Sequence, residues 1–229
     1  MPLLALFDVD GTLFMTHDPL AGEALRETLE TEYAVRLPDD PLAEVDHAGQ
    51  TSLTIARLVL RDAGLDEHRI DEGLPAWCAR FAARYLELLA DADTTGWHAA
   101  ARAGEALARI EAGGVRLALL TGNPEPVARA RMERLDLARF FPPGQGAFGC
   151  EDESRSALVE LARRRAGGWP ATQTVEIGDT CRDVETAHAA GIRAIIVPSV
   201  RTDEAQAAEA DAVCDDLDAV ADRLLAWSG

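Results

Sequence analysis

The chain has 229 residues, 48% hydrophobic and 27% charged, and is therefore long enough to bury a hydrophobic core. Forty acidic residues against 22 basic ones give a net charge of -18, which repels nucleic acid and anionic lipid surfaces. No apolar run approaches the roughly 18 residues that a membrane span requires, and the N-terminus has no basic signal region. We therefore expect a cytoplasmic protein that binds neither nucleic acid nor membranes.

Two features of the composition concern side-chain chemistry. All basic residues are arginine, because the sequence contains no lysine, and this excludes lysine-based catalysis. The cysteines lie far apart and without metal-binding spacing, at Cys78, Cys150, Cys181 and Cys214. This distribution favours free, buried thiols in a reducing compartment over a disulfide framework.

Short apolar runs that stop at polar turn residues recur along the chain. They cover residues 3–7, 115–120, 174–177 and 193–197. Helical patterns alternate with them over residues 101–112, 125–135, 154–166 and 183–190. Continuous apolar runs of this length are typical of buried parallel strands. The alternation therefore predicts an α/β fold, a doubly wound, Rossmann-like parallel sheet with helices on both faces.

The segment of residues 15–95 departs from this alternation, because its patterns are helical throughout. Helices are predicted over residues 20–33, 51–63 and 71–91, the last one interrupted near Gly73 and Pro75. An insertion directly after the first strand emerges at the carboxyl edge of the sheet, where such sheets bind ligands. We therefore predict an α/β core of residues 1–14 and 96–229 and an inserted all-helical domain of residues 15–95.

Polar residues that end different strands of such a sheet meet in one crevice. The predicted strand ends bring together Asp8, Asp10, Thr121, Gly122, Asp179 and Asp183. Several carboxylates in one cleft repel one another, and a bound hard cation such as Mg2+ relieves that repulsion. The sequence therefore predicts a divalent-cation site beside hydroxyl and amide donors.

These strand-end motifs resemble those of the haloacid dehalogenase superfamily. The resemblance is carried by Asp8-Val9-Asp10-Gly11-Thr12, Leu119-Leu120-Thr121-Gly122-Asn123 and Gly178-Asp179-Thr180-Cys181-Arg182-Asp183. The helical insertion is similar to the α-helical cap of phosphoglycolate-phosphatase-like members. The resemblance implies a Mg2+-dependent phosphatase that hydrolyses a small phosphorylated metabolite through an aspartyl-phosphate intermediate, as a monomer or homodimer. Asp10 favours a phosphatase over a dehalogenase, because dehalogenases of the superfamily lack an acid at this position.

The resemblance also implies roles for the carboxylates. Asp8 is expected to be the nucleophile, and Asp10 its acid-base partner, which protonates the leaving alkoxide and then activates water. Asp8, Asp179 and the backbone carbonyl of Asp10 are expected to hold Mg2+. Asp183 is expected to orient the metal shell from outside.

Phosphate binding is expected at the end of the second strand, through Thr121, Gly122 and Asn123. The family's third motif normally supplies a lysine that holds the nucleophile and the phosphoryl group together, and this chain has none. Arg155 stands at about that place, and its planar fork is expected to reach both Asp8 and a phosphoryl oxygen. The alternatives are Arg182 in this role, or a surface ion pair for Arg155.

One turn of the helical insertion is a candidate substrate contact. Similar cap domains place a glycine-rich turn over the core site, and here Gly49 precedes Gln50, which is therefore expected to touch the substrate. Related sequences often carry a basic residue there, so Gln50 does not favour recognition of a second anionic group. The alternative is an ordinary helix start with Thr51 as N-cap. The sequence does not decide whether His17 or His47 contacts the substrate.

Other functions remain possible for the same motifs. A phosphomutase of the β-phosphoglucomutase type would use the same two aspartates, but such mutases usually rely on a lysine. A phosphonate hydrolase of this family needs a Schiff-base lysine, which the chain also lacks. A non-catalytic module that binds a phosphorylated ligand could keep the pocket without turnover.

Overall fold

A computed structural model describes residues 2–203 and 207–229. Six parallel strands form its sheet: β1 (Leu4–Phe7), β2 (Arg116–Thr121), β3 (Ala147–Phe148), β4 (Thr174–Gly178), β5 (Arg193–Ile196) and β6 (Ala212–Val213). Their order across the sheet is β3-β2-β1-β4-β5-β6. The order reverses between β1 and β4, and the loops that follow β1, β2 and β4 therefore face one crevice. The predicted doubly wound fold is confirmed.

Helices cover both faces of this sheet and form a separate layer at its edge. The helices described are α1 (Pro19–Tyr33), α2 (Ser52–Asp62), α3 (Glu67–Asp91), α4 (Ala103–Ala112), α5 (Glu125–Arg134), α6 (Arg155–Arg165), α7 (Cys181–Ala189) and α8 (Leu217–Ser228). Ala5 and Phe7 of β1 pack into the cluster under α4, α5 and α8. Leu4 and Leu6 pack into the opposite cluster, under α6 and α7. Because both faces are buried, β1 is a continuous apolar run.

The helices α1, α2 and α3 have a hydrophobic cluster of their own. Leu29, Leu60, Trp77 and Tyr85 lie within it, and Val127 of α5 joins it from the sheet side. This packing is compatible with a separate helical unit, but the division of the chain at residues 15 and 95 stays a prediction. Within the described ranges, no helix combines the length and the apolar character that a membrane span needs.

Helix α3 runs without interruption through Gly73 and Pro75, so the predicted break there is wrong. An interior proline costs a helix about 3 kcal/mol, yet buried residues such as Leu74 and Trp77 anchor the helix on both sides of it. A side chain at residue 73 would overlap the ring of Tyr33 on α1. Gly73 therefore allows the two helices to approach, and tertiary packing outweighs local propensity.

Cys78 and Cys150 form a disulfide with their Cα atoms 5.9 Å apart, so the prediction that all four thiols are free is wrong. Cys181 and Cys214 are free. The two bonded residues are 72 positions apart, and no sequence spacing indicates such a pair. Only the packing of α3 against the loop after β3 brings them within bonding geometry.

Reduction of this disulfide is expected to lower the free energy of unfolding. The loop that it closes has a sequence separation of 72 residues, for which chain entropy gives about 4 kcal/mol as an upper value. Chemical denaturation with and without dithiothreitol measures the effect. The matched control is the Cys78→Ser/Cys150→Ser double variant, whose midpoint should not respond to the reductant. An unchanged wild-type midpoint would count against the disulfide.

Candidate active site

Three buried carboxylates meet at the carboxyl edge of the sheet. Asp8 follows β1, Asp179 follows β4, and Asp183 lies in the first turn of α7. One oxygen of each lies within 4.8 Å of the others. Burial raises the pKa of Asp8 well above its ordinary value, and Asp183 adds to the rise while Arg155 opposes it. A cation bound here would relieve the cost of three neighbouring charges.

A positive charge already neighbours one member of this cluster. Arg201, in the loop after β5, donates from Nε to Asp179 Oδ2 at 3.0 Å and from Nη2 to Oδ1 at 2.9 Å. Burial raises the pKa of Asp179, and Arg201 and Ser199 oppose the rise. Gly11 has a φ of +86°, and a side chain there would overlap both Arg201 and Asp179. Carboxylate oxygens are the ligands that a hard ion such as Mg2+ prefers, and an ion bound to Asp179 would share or replace its hydrogen bonds with Arg201.

Asp10 has different neighbours from Asp8. Arg131 Nη1 donates to its two carboxylate oxygens at 2.8 and 3.0 Å. Asn123 Nδ2 donates to Asp10 Oδ2 and, at 3.0 Å, to Thr121 Oγ1. The two carboxylates predicted to be catalytic therefore lie in separate environments, one among acids and the other on an arginine and an amide.

The predicted phosphate loop joins β2 to α5. Thr121 ends the strand, and its Oγ1 accepts from the backbone nitrogen of Asn123 at 3.3 Å. The Gly122 carbonyl accepts from Ser52 of α2, from the backbone nitrogen at 2.8 Å and from Oγ at 2.9 Å. A side chain at Gly122 would overlap the backbone carbonyl of Gln50. The start of α2 therefore lies directly on this loop.

A cavity of about 1220 Å³ opens above these groups. The predicted site residues Asp8, Asp10, Thr121, Asn123, Arg155 and Gln50 contribute to its wall. His17 and His47, which were left open, also line it. Thr51 is the N-cap of α2 and accepts from the backbone nitrogen of Thr54 at 3.2 Å. Thr51 therefore caps the helix, as the alternative stated, and Gln50 also lines the cavity, as a substrate contact requires.

Arg155 begins α6 and is buried beside the acidic cluster. Its Nη2 donates to Asp183 Oδ1 at 2.6 Å and to Glu176 Oε1 at 3.2 Å, rather than to Asp8 as expected. Its Nε has no hydrogen-bond partner in residues 2–203 and 207–229. Burial disfavours the guanidinium charge, but Asp183 and the other nearby acids outweigh it and raise the pKa of Arg155. The site therefore holds a permanent cation in the wall of the cavity.

Arg182, the alternative to Arg155, lies elsewhere. Its Nη2 donates to Asp46 Oδ2 at 2.6 Å, and its Nη1 donates to the Ala48 carbonyl at 2.6 Å. With the amide oxygen of Gln50 turned toward it, Arg182 also donates to that oxygen at 3.2 Å from Nε and Nη2. Arg182 therefore holds the turn that carries Gln50.

Arg155→Ala is expected to slow turnover by on the order of a hundredfold, because the variant loses the cation beside Asp8. Arg155→Lys should recover part of the loss. Steady-state kinetics checks both variants, with Arg164→Ala as control, since Arg164 lies exposed on the same helix. Wild-type kcat and KM in Arg155→Ala would show that another group meets the phosphate.

Sequence reasoning missed three charged residues of this region, Arg131, Glu176 and Arg201. Glu176 carried a signal, because a glutamate inside the apolar strand Thr174–Gly178 must be buried and needs a partner. Burial raises its pKa, and Arg155 opposes the rise. Arg201 follows a predicted strand end, which is a weaker signal. Arg131 carried none, because it is one of several arginines on a polar helix.

A doubly wound sheet that ends in buried carboxylates under a helical layer is compatible with a hydrolase. The model of the family described as haloacid dehalogenase-like hydrolase matches residues 3–191, and the chain belongs to that family. A phosphoglycolate phosphatase of Rhodospirillum rubrum is 29% identical over 197 residues, which cover 86% of this chain and 80% of the relative.

Two further comparisons span nearly the whole chain. A phosphoglycolate phosphatase of Mesorhizobium japonicum is 29% identical over 238 residues, covering 99% of this chain and 98% of the relative. The crystal structure of CbbY from Rhodobacter sphaeroides in complex with phosphate superposes with a TM-score of 0.69 at 22% identity. That match covers 95% of this chain and 96% of CbbY, and it shows the common fold.

Proposed function

We propose that this protein is a Mg2+-dependent phosphatase that hydrolyses a small phosphomonoester through an aspartyl-phosphate on Asp8. The observation that carries the proposal is the cluster of Asp8, Asp179 and Asp183, whose oxygens lie within 4.8 Å of one another and of which Asp8 lines the cavity. A second carboxylate, Asp10, lies two residues from Asp8 and accepts hydrogen bonds from Arg131 and Asn123. Two relatives are phosphoglycolate phosphatases, which supports a small phosphorylated metabolite as substrate.

The carboxylates divide the chemistry between them. In the first step an oxygen of Asp8 attacks phosphorus, and the bond to the leaving oxygen breaks as Asp10 gives it a proton. In the second step Asp10 takes a proton from water, which attacks the phosphorus and releases phosphate and Asp8. Asp8, Asp179 and the backbone carbonyl of Asp10 would hold Mg2+, with Asp183 orienting the shell. The bound ion would supply positive charge between anionic nucleophile and anionic substrate.

Neutral and cationic donors bind the transferred group in this proposal. Thr121 Oγ1 and the backbone amides of Gly122 and Asn123 donate to phosphoryl oxygens. Arg155 lines the cavity, and its charge offsets the carboxylates around Asp8. The Asn123 backbone nitrogen donates to Thr121 Oγ1 at 3.3 Å in this structure, so a phosphoryl oxygen would replace that hydrogen bond.

Gln50 is proposed as a substrate contact, because it lines the cavity and its backbone lies against Gly122. Gln50→Ala is expected to change the ratios of kcat/KM among substrates while the best kcat changes little. Assays across a panel of phosphate esters measure these ratios, with Glu44→Ala as control, because Glu44 is exposed in the same segment. Unaltered ratios would leave Gln50 with a structural role at the start of α2.

Release of inorganic phosphate with Mg2+ tests the proposed function. The panel contains phosphoglycolate, sugar phosphates, nucleoside monophosphates and p-nitrophenyl phosphate. We expect free phosphate from several members, with small esters fastest. Conversion of a sugar 1-phosphate to its 6-phosphate without phosphate release would instead identify a mutase. Phosphate release from none of the substrates would overturn the proposal.

A further inference from the structure

Arg131 of α5 is 2% exposed, and each of its guanidinium nitrogens donates to another side chain. Nη1 donates to both oxygens of Asp10 and, at 3.2 Å, to Asn123 Oδ1. Nη2 donates to Asp18 Oδ2 at 2.7 Å, and Nε donates to Tyr85 Oη at 3.2 Å. One planar cation thus joins Asp10 to Asp18 and Tyr85.

The partners of Arg131 come from two parts of the fold. Asp10 and Asn123 stand in loops at the edge of the sheet, whereas Asp18 is the N-cap of α1 and Tyr85 belongs to α3. The Tyr85 hydroxyl donates to Asp18 Oδ2 at 2.7 Å, so Arg131, Asp18 and Tyr85 form a closed ring of hydrogen bonds. This ring fixes the guanidinium plane from the side opposite Asp10.

Asp10 needs such a fixed partner more than the other acids do. Its side chain is 37% exposed, and an exposed carboxylate on a loop can rotate between staggered positions. Nη1 alone donates to both oxygens, while Nε and Nη2 are held by Tyr85 and Asp18, so a guanidinium fixed in its plane keeps the carboxylate in one orientation. If Arg131 served only to stabilise the fold, the charge of Asp18 would be enough to neutralise it. Its Nη1 nevertheless donates to Asp10 and Asn123.

We propose that Arg131 is a positioning residue for Asp10, and that Asp18 and Tyr85 position Arg131 in turn. The inference rests on the proposed function, in which Asp10 transfers protons to and from the reacting oxygens. Arg131 lines the cavity, but each of its guanidinium nitrogens already donates to a side chain of the protein. It differs in this respect from Arg155, whose Nε has no partner within the described ranges.

The test is a double-mutant cycle between Arg131 and Asp10, measured on two substrates. Arg131→Gln is expected to lower kcat for an alkyl phosphate by roughly tenfold to a hundredfold. The loss on p-nitrophenyl phosphate should stay within about threefold, because its phenolate leaves with little protonation. KM should change little. Asp10→Asn should show the same substrate pattern, and Arg131→Gln/Asp10→Asn should be no slower than Asp10→Asn alone.

Two further variants separate positioning from stability. Arg134→Gln is the matched control: Arg134 also joins α5 to the end of α3, through the Leu89 carbonyl at 3.5 Å. Its variant should keep wild-type kinetics on both substrates. Tyr85→Phe removes the acceptor of Arg131 Nε and should cause a smaller loss, again mainly on the alkyl phosphate. If Arg131→Gln does not fold, Arg131→Lys replaces it in the cycle, with the same expected absence of loss in the Asp10→Asn background.

Three outcomes would overturn the inference: losses that multiply in the double variant, equal losses on the two substrates, or a loss confined to KM. Failure of the proposed function gives a different result, since either the wild type would release no phosphate or Asp8→Asn would remain active. An inactive Asp8→Asn together with multiplying losses at Arg131 and Asp10 would therefore reject only the positioning role.

Discussion

Asp8→Asn is expected to turn over substrate at least about a thousandfold more slowly than the wild type. An amide is not a nucleophile toward phosphorus, and neighbouring carboxylates are poorly placed to replace it. Asp179 is held by Arg201, and Asp183 by Arg155 and the backbone of Thr180. Steady-state release of phosphate from the best substrate measures the loss. Activity above roughly a hundredth of wild type would contradict a covalent mechanism at Asp8.

Asp8→Asn is also expected to keep its fold, which makes its kinetics interpretable. Burial and Asp183 raise the pKa of Asp8, so ionisation of this group costs the folded state free energy. The free energy of unfolding of the metal-free wild type should therefore fall as the pH rises from acid to neutral. Asp8→Asn cannot ionise at this position, so its free energy of unfolding should not show this part of the fall. Thermal unfolding at both pH values checks the sign. A variant less stable than the wild type at neutral pH would indicate a structural role for the carboxylate.

Removal of Mg2+ is expected to abolish turnover. Without the ion, a phosphate dianion would approach three buried carboxylates that only arginines offset, and the repulsion would oppose both binding and attack. Ca2+ should not restore activity, because it prefers more ligands and looser geometry. Phosphate release in excess EDTA, followed by addition of each ion, measures this. Full activity in EDTA would contradict the metal assignment.

Binding of the ion can be measured without turnover. A ligand that binds only the folded state raises the unfolding temperature by mass action. Mg2+ should therefore raise the unfolding temperature of the wild type, and do so much less for Asp179→Asn. Ser199→Ala is a suitable comparison, because Ser199 Oγ donates to Asp179 Oδ2 at 2.5 Å without being a proposed ligand. Equal responses of the wild type and Asp179→Asn would remove Asp179 from the site.

The strand ends account for most of what the sequence could predict. Apolar runs buried on both faces are easily recognised, and parallel strands end at the same edge, so Asp8, Thr121 and Asp179 could be grouped in advance. The two-residue strands β3 and β6 are too short for any periodicity, and they lie outside the predicted runs.

The remaining features depend on packing between distant segments. Arg131 meets Asp10 across 121 residues and Asp18 across 113, and Cys78 meets Cys150 across 72. Helical periodicity indicates which face of a helix is polar, but it does not indicate which loop that face meets. For this reason the carboxylates and Arg155 were predictable from their motifs, whereas Arg131 and Arg201, which hold Asp10 and Asp179, were not.

Trapping of the phosphorylated enzyme tests the central claim most directly. Wild-type protein and Asp10→Asn are mixed with Mg2+ and substrate, quenched in acid and digested, and the peptides are analysed by mass spectrometry. We predict a phosphoryl group on Asp8, with more of it in Asp10→Asn because its hydrolysis lacks a base. Turnover with no phosphorylated peptide in either protein, or with the group on a residue other than Asp8, would contradict the account.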